Sequence, residues 1–134
     1  MASPKPGSLV HFELASDNPE RTRKFLQDVF AWKFEAVPGL EYYPFSTPAG
    51  AGGAVLPASV QQPRGILDYL LSEDIDRDAR KIEAAGGKLL GSKTEIPGVG
   101  WWLLFEEPGH CVLALFQSRT KDRGPVARFR ADSR

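Results

Sequence analysis

A strand–helix–three-strand pattern occurs twice along the chain, and this repetition constrains the fold more than any other feature. Residues 8–15 alternate between apolar and polar side chains, which is typical of a half-buried strand. A helix and three further strands follow, the strands at about 32–37, 41–47 and 53–57. The pattern then restarts with a strand at 66–72, a helix, and strands at about 88–95, 99–106 and 111–117.

An internal duplication is the simplest account of this pattern. It predicts an α+β fold built from two βαβββ modules, 8–57 and 65–118, within a single domain over 8–118. One module alone would leave a face of its sheet exposed, so we expect the two to pair around a shared core.

Both predicted helices carry start signals and an apolar stripe. Asn18 or Asp17 caps the first helix, and Asp74 caps the second. The stripe expected to be buried is Phe25, Leu26, Val29 and Phe30 in the first helix, and Ile75, Ala79, Ile82 and Ala85 in the second. Aligning the two modules on these features gives an offset of 56 or 57 residues, and the sequence does not decide between them.

The ends of the chain and the overall charge add little that is specific. Residues 1–7 are expected to be an N-terminal extension without a signal peptide, and 119–134 a basic, flexible tail of net charge +4. The net charge is zero, so no nucleic-acid or membrane partner is expected. The single cysteine, Cys111, fits a reducing, cytoplasmic location, and it is expected to be buried in a strand.

Short strings in both halves carry a family resemblance. They are His11-Phe12-Glu13-Leu14, Asp17-Asn18-Pro19-Glu20-Arg21, Val29-Phe30-Ala31-Trp32, Asp74-Ile75-Asp76, Ala84-Ala85-Gly86-Gly87-Lys88 and Phe105-Glu106-Glu107-Pro108-Gly109. These strings resemble the vicinal oxygen chelate superfamily of glyoxalases, bleomycin-resistance proteins and extradiol dioxygenases, and above all its small glyoxalase-like proteins of unassigned function. The resemblance implies that the two modules form curved mixed sheets around a cleft, and that the protein is a homodimer.

The resemblance also implies where a divalent metal would bind. Metal-dependent members carry ligands on the first and last strands of each module, and His11 matches the first of these positions. Its counterpart is Asp68 at an offset of 57 and Leu67 at 56. Near Ala114 the relatives carry glutamate, and residues 53–57 contain no donor side chain at all. We therefore expect no complete metal site, with an incomplete one at His11 and Asp68 as the alternative.

His11 and Glu13 share one face of the first strand, and they are the candidate catalytic residues. Imidazole and carboxylate side chains in a cleft can act as acid and base without a metal. The alternative is that the two simply satisfy each other's hydrogen bonds. Candidate substrate-binding residues are Asp68 and four aromatic residues, Trp32, Tyr43, Trp101 and Trp102. The aromatic rings could wall a pocket or could instead pack in the core.

Three functions agree with these observations. The first is a glyoxalase-like protein of unassigned reaction that acts on or binds a small organic molecule, without a complete metal site. The second is a non-catalytic protein that sequesters a small molecule, as bleomycin-resistance proteins do. The third is a metal-dependent lyase or dioxygenase. The sequence leaves open whether the protein is an enzyme.

Overall fold

A computed structural model describes residues 4–48 and 50–120 of the chain. These residues form two compact units: the first unit is residues 11–67, and the second unit is residues 4–10 together with 68–120. Of the predicted N-terminal extension, Gly7 donates a backbone hydrogen bond to the carbonyl oxygen of Leu71 at 2.8 Å, so it belongs to the second unit. The predicted tail lies outside the described residues from position 121 onwards. The single domain over 8–118 stays a prediction.

The chain contains two helices and nine short strands among the described residues, which confirms the predicted α+β class. The elements are β1 (Leu9–Ser16), α1 (Pro19–Phe30), β2 (Lys33–Phe34), β3 (Tyr43–Ser46), β4 (Gly52–Pro57), β5 (Gly65–Leu71), α2 (Ile75–Ala84), β6 (Lys88–Leu89), β7 (Thr94–Ile96), β8 (Gly100–Glu106) and β9 (Val112–Ser118).

The strands of the two units are connected in the same way, as the duplication predicts. In the first unit the order is β2-β3-β4-β1, with β1 and β4 parallel and the other neighbours antiparallel. In the second unit the order is β6-β8-β9-β5, with β5 and β9 parallel and β7 also paired to β8. The first and last strands of each module are therefore hydrogen-bonded neighbours in a mixed sheet.

One predicted strand is interrupted. The strand expected at 88–95 is instead two short strands, β6 and β7, and the residues between them are not part of a strand. Gly91 lies in this gap with a φ of +115°, a backbone conformation outside the extended region. The other predicted strands are present with shifted ends, and β2 is only two residues long.

The helix starts decide the offset between the modules. Asn18 caps α1 by accepting a hydrogen bond from the backbone of Arg21 at 3.1 Å, and Asp74 caps α2 in the same way from Arg77 at 3.0 Å. The two caps are 56 positions apart. Two side-chain hydrogen bonds related by the same 56 positions support this. The hydroxyls of Ser16 and Thr22 are hydrogen-bonded at 2.6 Å, and the hydroxyl of Ser72 donates to Asp78 at 2.6 Å. The modules therefore align at an offset of 56, not 57.

The buried stripe predicted for α1 is largely wrong. Phe25, Val29 and Phe30 are 59%, 54% and 53% exposed. The covered positions of α1 are Pro19, Thr22, Arg23 and Leu26, and those of α2 are Ile75, Asp78, Ala79 and Ile82, which lie 56 residues further on. The stripe predicted for α2 was right except for Ala85, which is exposed. The same helical face therefore packs against the sheet in both units, and in α1 it is not the more apolar one.

Each unit has its own apolar core. In the first unit, buried Tyr42, Ala54 and Leu56 pack together with half-buried Leu40. In the second unit, Ile75 at the start of α2 packs against β8 and β9 through Leu103, Phe105 and Leu115. No helix among residues 4–48 and 50–120 is long and apolar enough to cross a membrane.

Cys111 is exposed, contrary to the sequence-based expectation, because it lies in the turn before β9 rather than within a strand. The neighbouring Glu107 carboxylate accepts hydrogen bonds from the backbone of Gly109 and Cys111, at 2.7 and 2.8 Å. These backbone donors lower the pKa of Glu107. The pKa of the Cys111 thiol is in turn raised, first by its hydrogen bond to Glu107 and then by the negative charge of the Glu107 carboxylate.

We expect the Glu107→Gln variant to react severalfold faster than the wild type with a thiol-alkylating reagent near pH 8. Removing the carboxylate charge lowers the pKa of Cys111, and the thiolate is the reactive form. Because the chain has one cysteine, the alkylation rate measured by mass spectrometry reports on this thiol alone. Glu106→Gln is the matched control, since Glu106 pairs with His110 instead. Equal rates in wild type and Glu107→Gln would contradict the prediction.

Candidate functional site

The first strand carries the candidate catalytic residues on its more buried face. His11, Glu13 and Ala15 are 3%, 0% and 4% exposed, whereas Phe12 and Leu14 are half-buried. The alternation expected for β1 is present, but the face predicted to meet the core is the less covered one. Side chains also pack against the opposite face of β1, where the ring of Phe12 meets Phe45 edge to face with centroids 5.2 Å apart.

Glu13 is the centre of a buried polar cluster in the first unit, which we call the Glu13 cluster (His11, Glu13, Tyr42 and Gln62). The hydroxyl of Tyr42 donates to Glu13 Oε2 at 2.7 Å, and Gln62 Nε2 donates to Glu13 Oε1 at 3.0 Å. His11 Nε2 lies 3.0 Å from the Tyr42 hydroxyl and 3.4 Å from Glu13 Oε2. The sequence pairing of His11 with Glu13 is therefore present, as part of a larger network.

The direction of each hydrogen bond can be assigned from the network. The single proton of the Tyr42 hydroxyl points to Glu13, so the phenolic oxygen accepts from His11 Nε2–H. Glu13 accepts on both of its oxygens, on Oε2 from Tyr42 and on Oε1 from Gln62. No buried polar side-chain atom lacks a hydrogen-bond partner in the described part of the chain. The arrangement holds a carboxylate, a phenol and an imidazole within one buried proton-exchange network.

Tyr42 and Gln62 are site residues that the sequence reasoning missed. Tyr42 is 2% exposed and faces Glu13, whereas the predicted Tyr43 is half-buried under the guanidinium of Arg23, 5.4 Å from its ring centroid. Adjacent residues on an extended chain face opposite ways, so one member of the pair had to point toward β1. Gln62 comes from the linker between the modules, where no periodic pattern predicts a side-chain direction.

Trp32 lies in an aromatic cluster of the first unit. Its ring stacks on Phe45 with centroids 4.7 Å apart and meets the edge of Phe12 at 6.3 Å. Trp32 keeps a half-buried side chain, so it remains a candidate for ligand contact as well as a packing residue. Its role in binding stays a prediction.

The other predicted binding residues belong to the second unit. Trp101 packs against the core of that unit, and its ring lies under Lys93 and Arg119 at 5.7 and 5.1 Å. Trp102 occupies the next position on β8, opposite Phe116 of β9, and is half-buried. Asp68 is half-buried on β5. Ligand contact by these three residues stays a prediction.

The offset of 56 removes one argument for a metal site. It places Leu67, and not Asp68, at the position equivalent to His11, and leucine cannot bind a metal. In the first unit the last strand, β4, has the sequence Gly-Gly-Ala-Val-Leu-Pro and offers no donor side chain. No group of three or more histidine, cysteine, aspartate or glutamate residues that could hold a metal ion is present among residues 4–48 and 50–120. The donor set of the first unit therefore does not fit a complete divalent-metal site.

Solved structures with the same fold are found across almost the whole chain. A glyoxalase/bleomycin resistance protein/dioxygenase superfamily member from Vibrio splendidus matches with a TM-score of 0.62 at 12% identity, covering 80% of this chain and 96% of that one. Methylmalonyl-CoA epimerase from Mycobacterium tuberculosis matches with a TM-score of 0.62 at 13% identity, covering 90% and 95%. The chain therefore has the fold of the glyoxalase/bleomycin resistance protein/dioxygenase superfamily.

Sequence comparison finds curated relatives as well. Two curated proteins named "Putative glyoxylase CFP32", from Mycobacterium bovis and Mycobacterium tuberculosis, are 26% identical to it over 123 residues, covering 83% of this chain. This chain spans only 44% of the length of these relatives. No family model matches the sequence. A hypothetical protein from Bacillus halodurans has the same fold, with a TM-score of 0.65 at 11% identity over 87% of this chain and 98% of that one.

Proposed function

We propose that the protein binds a small carbonyl compound at the Glu13 cluster and moves a proton to and from the carbon beside the carbonyl group. The observation that carries this proposal is the carboxyl group of Glu13, wholly buried within hydrogen-bonding distance of a phenol. A buried carboxylate costs free energy unless it is well paired, and such groups are concentrated at functional sites. The fold supports the proposal only as a scaffold, because it hosts unrelated reactions.

The proton transfer can be written with the residues of the cluster. Glu13 accepts the proton from the carbon next to the carbonyl group, and the electron pair of that C–H bond moves to the carbonyl oxygen as an enolate. As Glu13 takes up the proton, the Tyr42 hydroxyl turns its one hydrogen bond from Glu13 to the enolate oxygen, and His11 Nε2–H supports it by donating to the Tyr42 oxygen. Return of the proton from Glu13 to carbon completes an exchange or an isomerisation. No step requires a metal.

Gln62 is the member of the cluster through which a ligand can arrive. Its amide holds Glu13 Oε1, yet the side chain is only half-buried and the linker around it includes Val60, which is 92% exposed. A ligand that displaces this amide reaches the carboxylate without breaking the Tyr42–Glu13 hydrogen bond. The dry surroundings of the cluster would strengthen the electrostatic interactions of a bound ligand.

The test is proton exchange in D₂O with small α-hydroxy ketones and 1,2-dicarbonyl compounds, with hydroxyacetone as the first probe. We expect the protein to accelerate loss of the α-proton signal in the NMR spectrum. Tyr42→Phe should lower the rate about 10²-fold or more, because a donor to the enolate is lost. Glu41→Gln, at the exposed position beside Tyr42, is the control and should leave the rate unchanged. Exchange no faster than in buffer for the whole panel would contradict the proposal.

A second candidate function is binding without chemistry, as in the bleomycin-resistance type. The mutual pairing of His11, Glu13 and Tyr42 favours it, since a fully satisfied network needs no reactant. Saturable quenching of tryptophan fluorescence by one of the probes, without any α-proton exchange, would select this function over the first.

We also propose a reducing, cytoplasmic location. The support is the exposed free thiol of Cys111, which an oxidising compartment would leave open to disulfide exchange. Localisation of a tagged full-length chain by fractionation tests this directly.

A further inference from the structure

The Glu13 cluster is closed in this structure, so a ligand reaches it only if part of its surroundings moves. His11, Glu13 and Tyr42 are 3%, 0% and 2% exposed. His11 and Glu13 belong to β1, and moving β1 would break its parallel pairing with β4. Tyr42 directly precedes β3, which is also paired with β4. Three of the four members of the cluster are therefore held in place by the sheet.

The fourth member, Gln62, lies on a segment outside the strands, residues 59–64, which we call the linker strap. Within residues 59–64 only Gln62 is half-buried, and the others are exposed. The turn of the strap closes on itself, because the Ser59 N–H donates to the Gln62 carbonyl oxygen at 2.9 Å and the Gln62 N–H donates to Ser59 Oγ at 3.0 Å. The strap can therefore move as one piece without losing these hydrogen bonds.

A hydrogen bond and an ion pair hold the linker strap against the rest of the first unit. Gln62 Nε2 donates to Glu13 Oε1 at 3.0 Å, and Arg64 pairs with Asp17 at 2.8 Å. The ion pair is exposed, and exposed ion pairs contribute little to stability. Directly after the strap, Gly65 has a φ of +133°, a backbone conformation that favours glycine. Opening the strap therefore breaks these two contacts and no strand pairing, which makes it the least costly route to Glu13.

We propose that Gln62 is the gate of the Glu13 cluster, and that the ligand takes over the hydrogen bond that Gln62 donates to Glu13. When the strap opens, Glu13 Oε1 loses the amide donor, and leaving a buried acceptor short of a donor costs free energy. A ligand with a hydroxyl or N–H group beside its carbonyl group replaces that donor, whereas a plain ketone does not. The gate therefore selects carbonyl compounds of the α-hydroxy ketone class. This inference rests on the proposed function only in placing the ligand at the Glu13 cluster.

The side-chain amide signals of Gln62 in the NMR spectrum of the full chain test the gate directly. In the free protein these amide protons should exchange with water severalfold more slowly than those of Gln61, which is exposed. Hydroxyacetone should release the amide, so that its signals move towards those of Gln61 and the difference in exchange rate disappears. Butanone, in which a methyl group replaces the hydroxyl, should bind at least about tenfold more weakly.

The variant Gln62→Leu removes the amide that competes with the ligand for Glu13 Oε1. It should lower the dissociation constant of hydroxyacetone about threefold to tenfold. Gln61→Leu is the matched control on the neighbouring residue and should keep the wild-type dissociation constant. Circular dichroism confirms that each variant is folded. A glutamine with a purely structural role would give a different result, in which Gln62→Leu binds hydroxyacetone no more tightly than the wild type.

The same measurements separate the gate from the proposed reaction. Release of the Gln62 amide by hydroxyacetone without any α-proton exchange supports the gate and contradicts the reaction. Exchange of the α-proton while the Gln62 signals stay in place overturns the gate and leaves the reaction standing. Binding of butanone as tightly as hydroxyacetone also overturns the gate. If hydroxyacetone binds neither the wild type nor Gln62→Leu, both proposals are wrong.

Discussion

Replacing Gly53 by alanine is expected to destabilise the protein by roughly 3 kcal/mol or more. A Cβ atom at this position would lie 1.7 Å from the backbone oxygen of Phe12, far inside van der Waals contact. Gly53 is the register partner of Phe12 in the parallel β1–β4 pair, so the clash cannot be relieved by turning a flexible side chain. The two strands would have to separate, and β1 is the strand that positions His11 and Glu13.

The measurement is thermal unfolding followed by circular dichroism, where a loss of this size lowers the melting temperature by about 10 °C. Gly52→Ala is the neighbouring control, since its Cβ would lie 3.0 Å from the Phe45 oxygen and the expected loss is smaller. Hydrogen exchange shows which part of the protein is destabilised. Gly53→Ala should increase the exchange of backbone amides in the first unit. Gly100→Ala, whose Cβ would lie 2.0 Å from the Gln117 oxygen, should expose those of the second unit. Melting of Gly53→Ala at the wild-type temperature would contradict the close approach.

The predictable part of the fold was the part encoded in local signals. Alternation identified β1, and the candidate caps, Asn18 or Asp17 and then Asp74, located the helix starts, because capping and periodicity act over a few neighbouring residues. The helical face that meets the sheet was not predictable from apolarity. Pro19 and Leu26 lie on the covered face of α1, while the more apolar Phe25 and Phe30 do not. The path of the chain from β1 through the cap sets that face, and it does so identically in α2.

The site was predictable only where β1 supplies it. His11 and Glu13 followed from the alternation of one strand, since both must lie on the same face. Tyr42 reaches Glu13 from 29 positions away, and Gln62 from 49, so their proximity depends on how β3, β4 and β1 pair. Strand pairing is a long-range property that no local signal in a single sequence reveals. The adjacent Tyr43 has the same side-chain chemistry and points elsewhere, so the sequence alone did not show which of the two tyrosines meets the β1 residues.

Glu13→Ala is expected to lower the free energy of unfolding by about 3–5 kcal/mol. The carboxylate accepts from Tyr42 and Gln62 and lies near His11, and its removal leaves their buried donors facing a cavity. Glu13→Gln keeps the volume and one acceptor oxygen, so its cost should be smaller, about 1–3 kcal/mol. Glu41→Gln, at an exposed position beside Tyr42, is the control and should be neutral in urea unfolding.

The same two substitutions separate a structural role of Glu13 from a chemical one. An amide cannot accept a proton from carbon, so Glu13→Gln should reduce α-proton exchange with hydroxyacetone about 10²–10⁴-fold while most of the protein stays folded. A purely structural carboxylate would give a different result, in which Glu13→Gln keeps the wild-type exchange rate in proportion to its folded fraction. Measuring urea unfolding and exchange on the same preparations therefore decides whether Glu13 is buried for the reaction or only for the stability of the first unit.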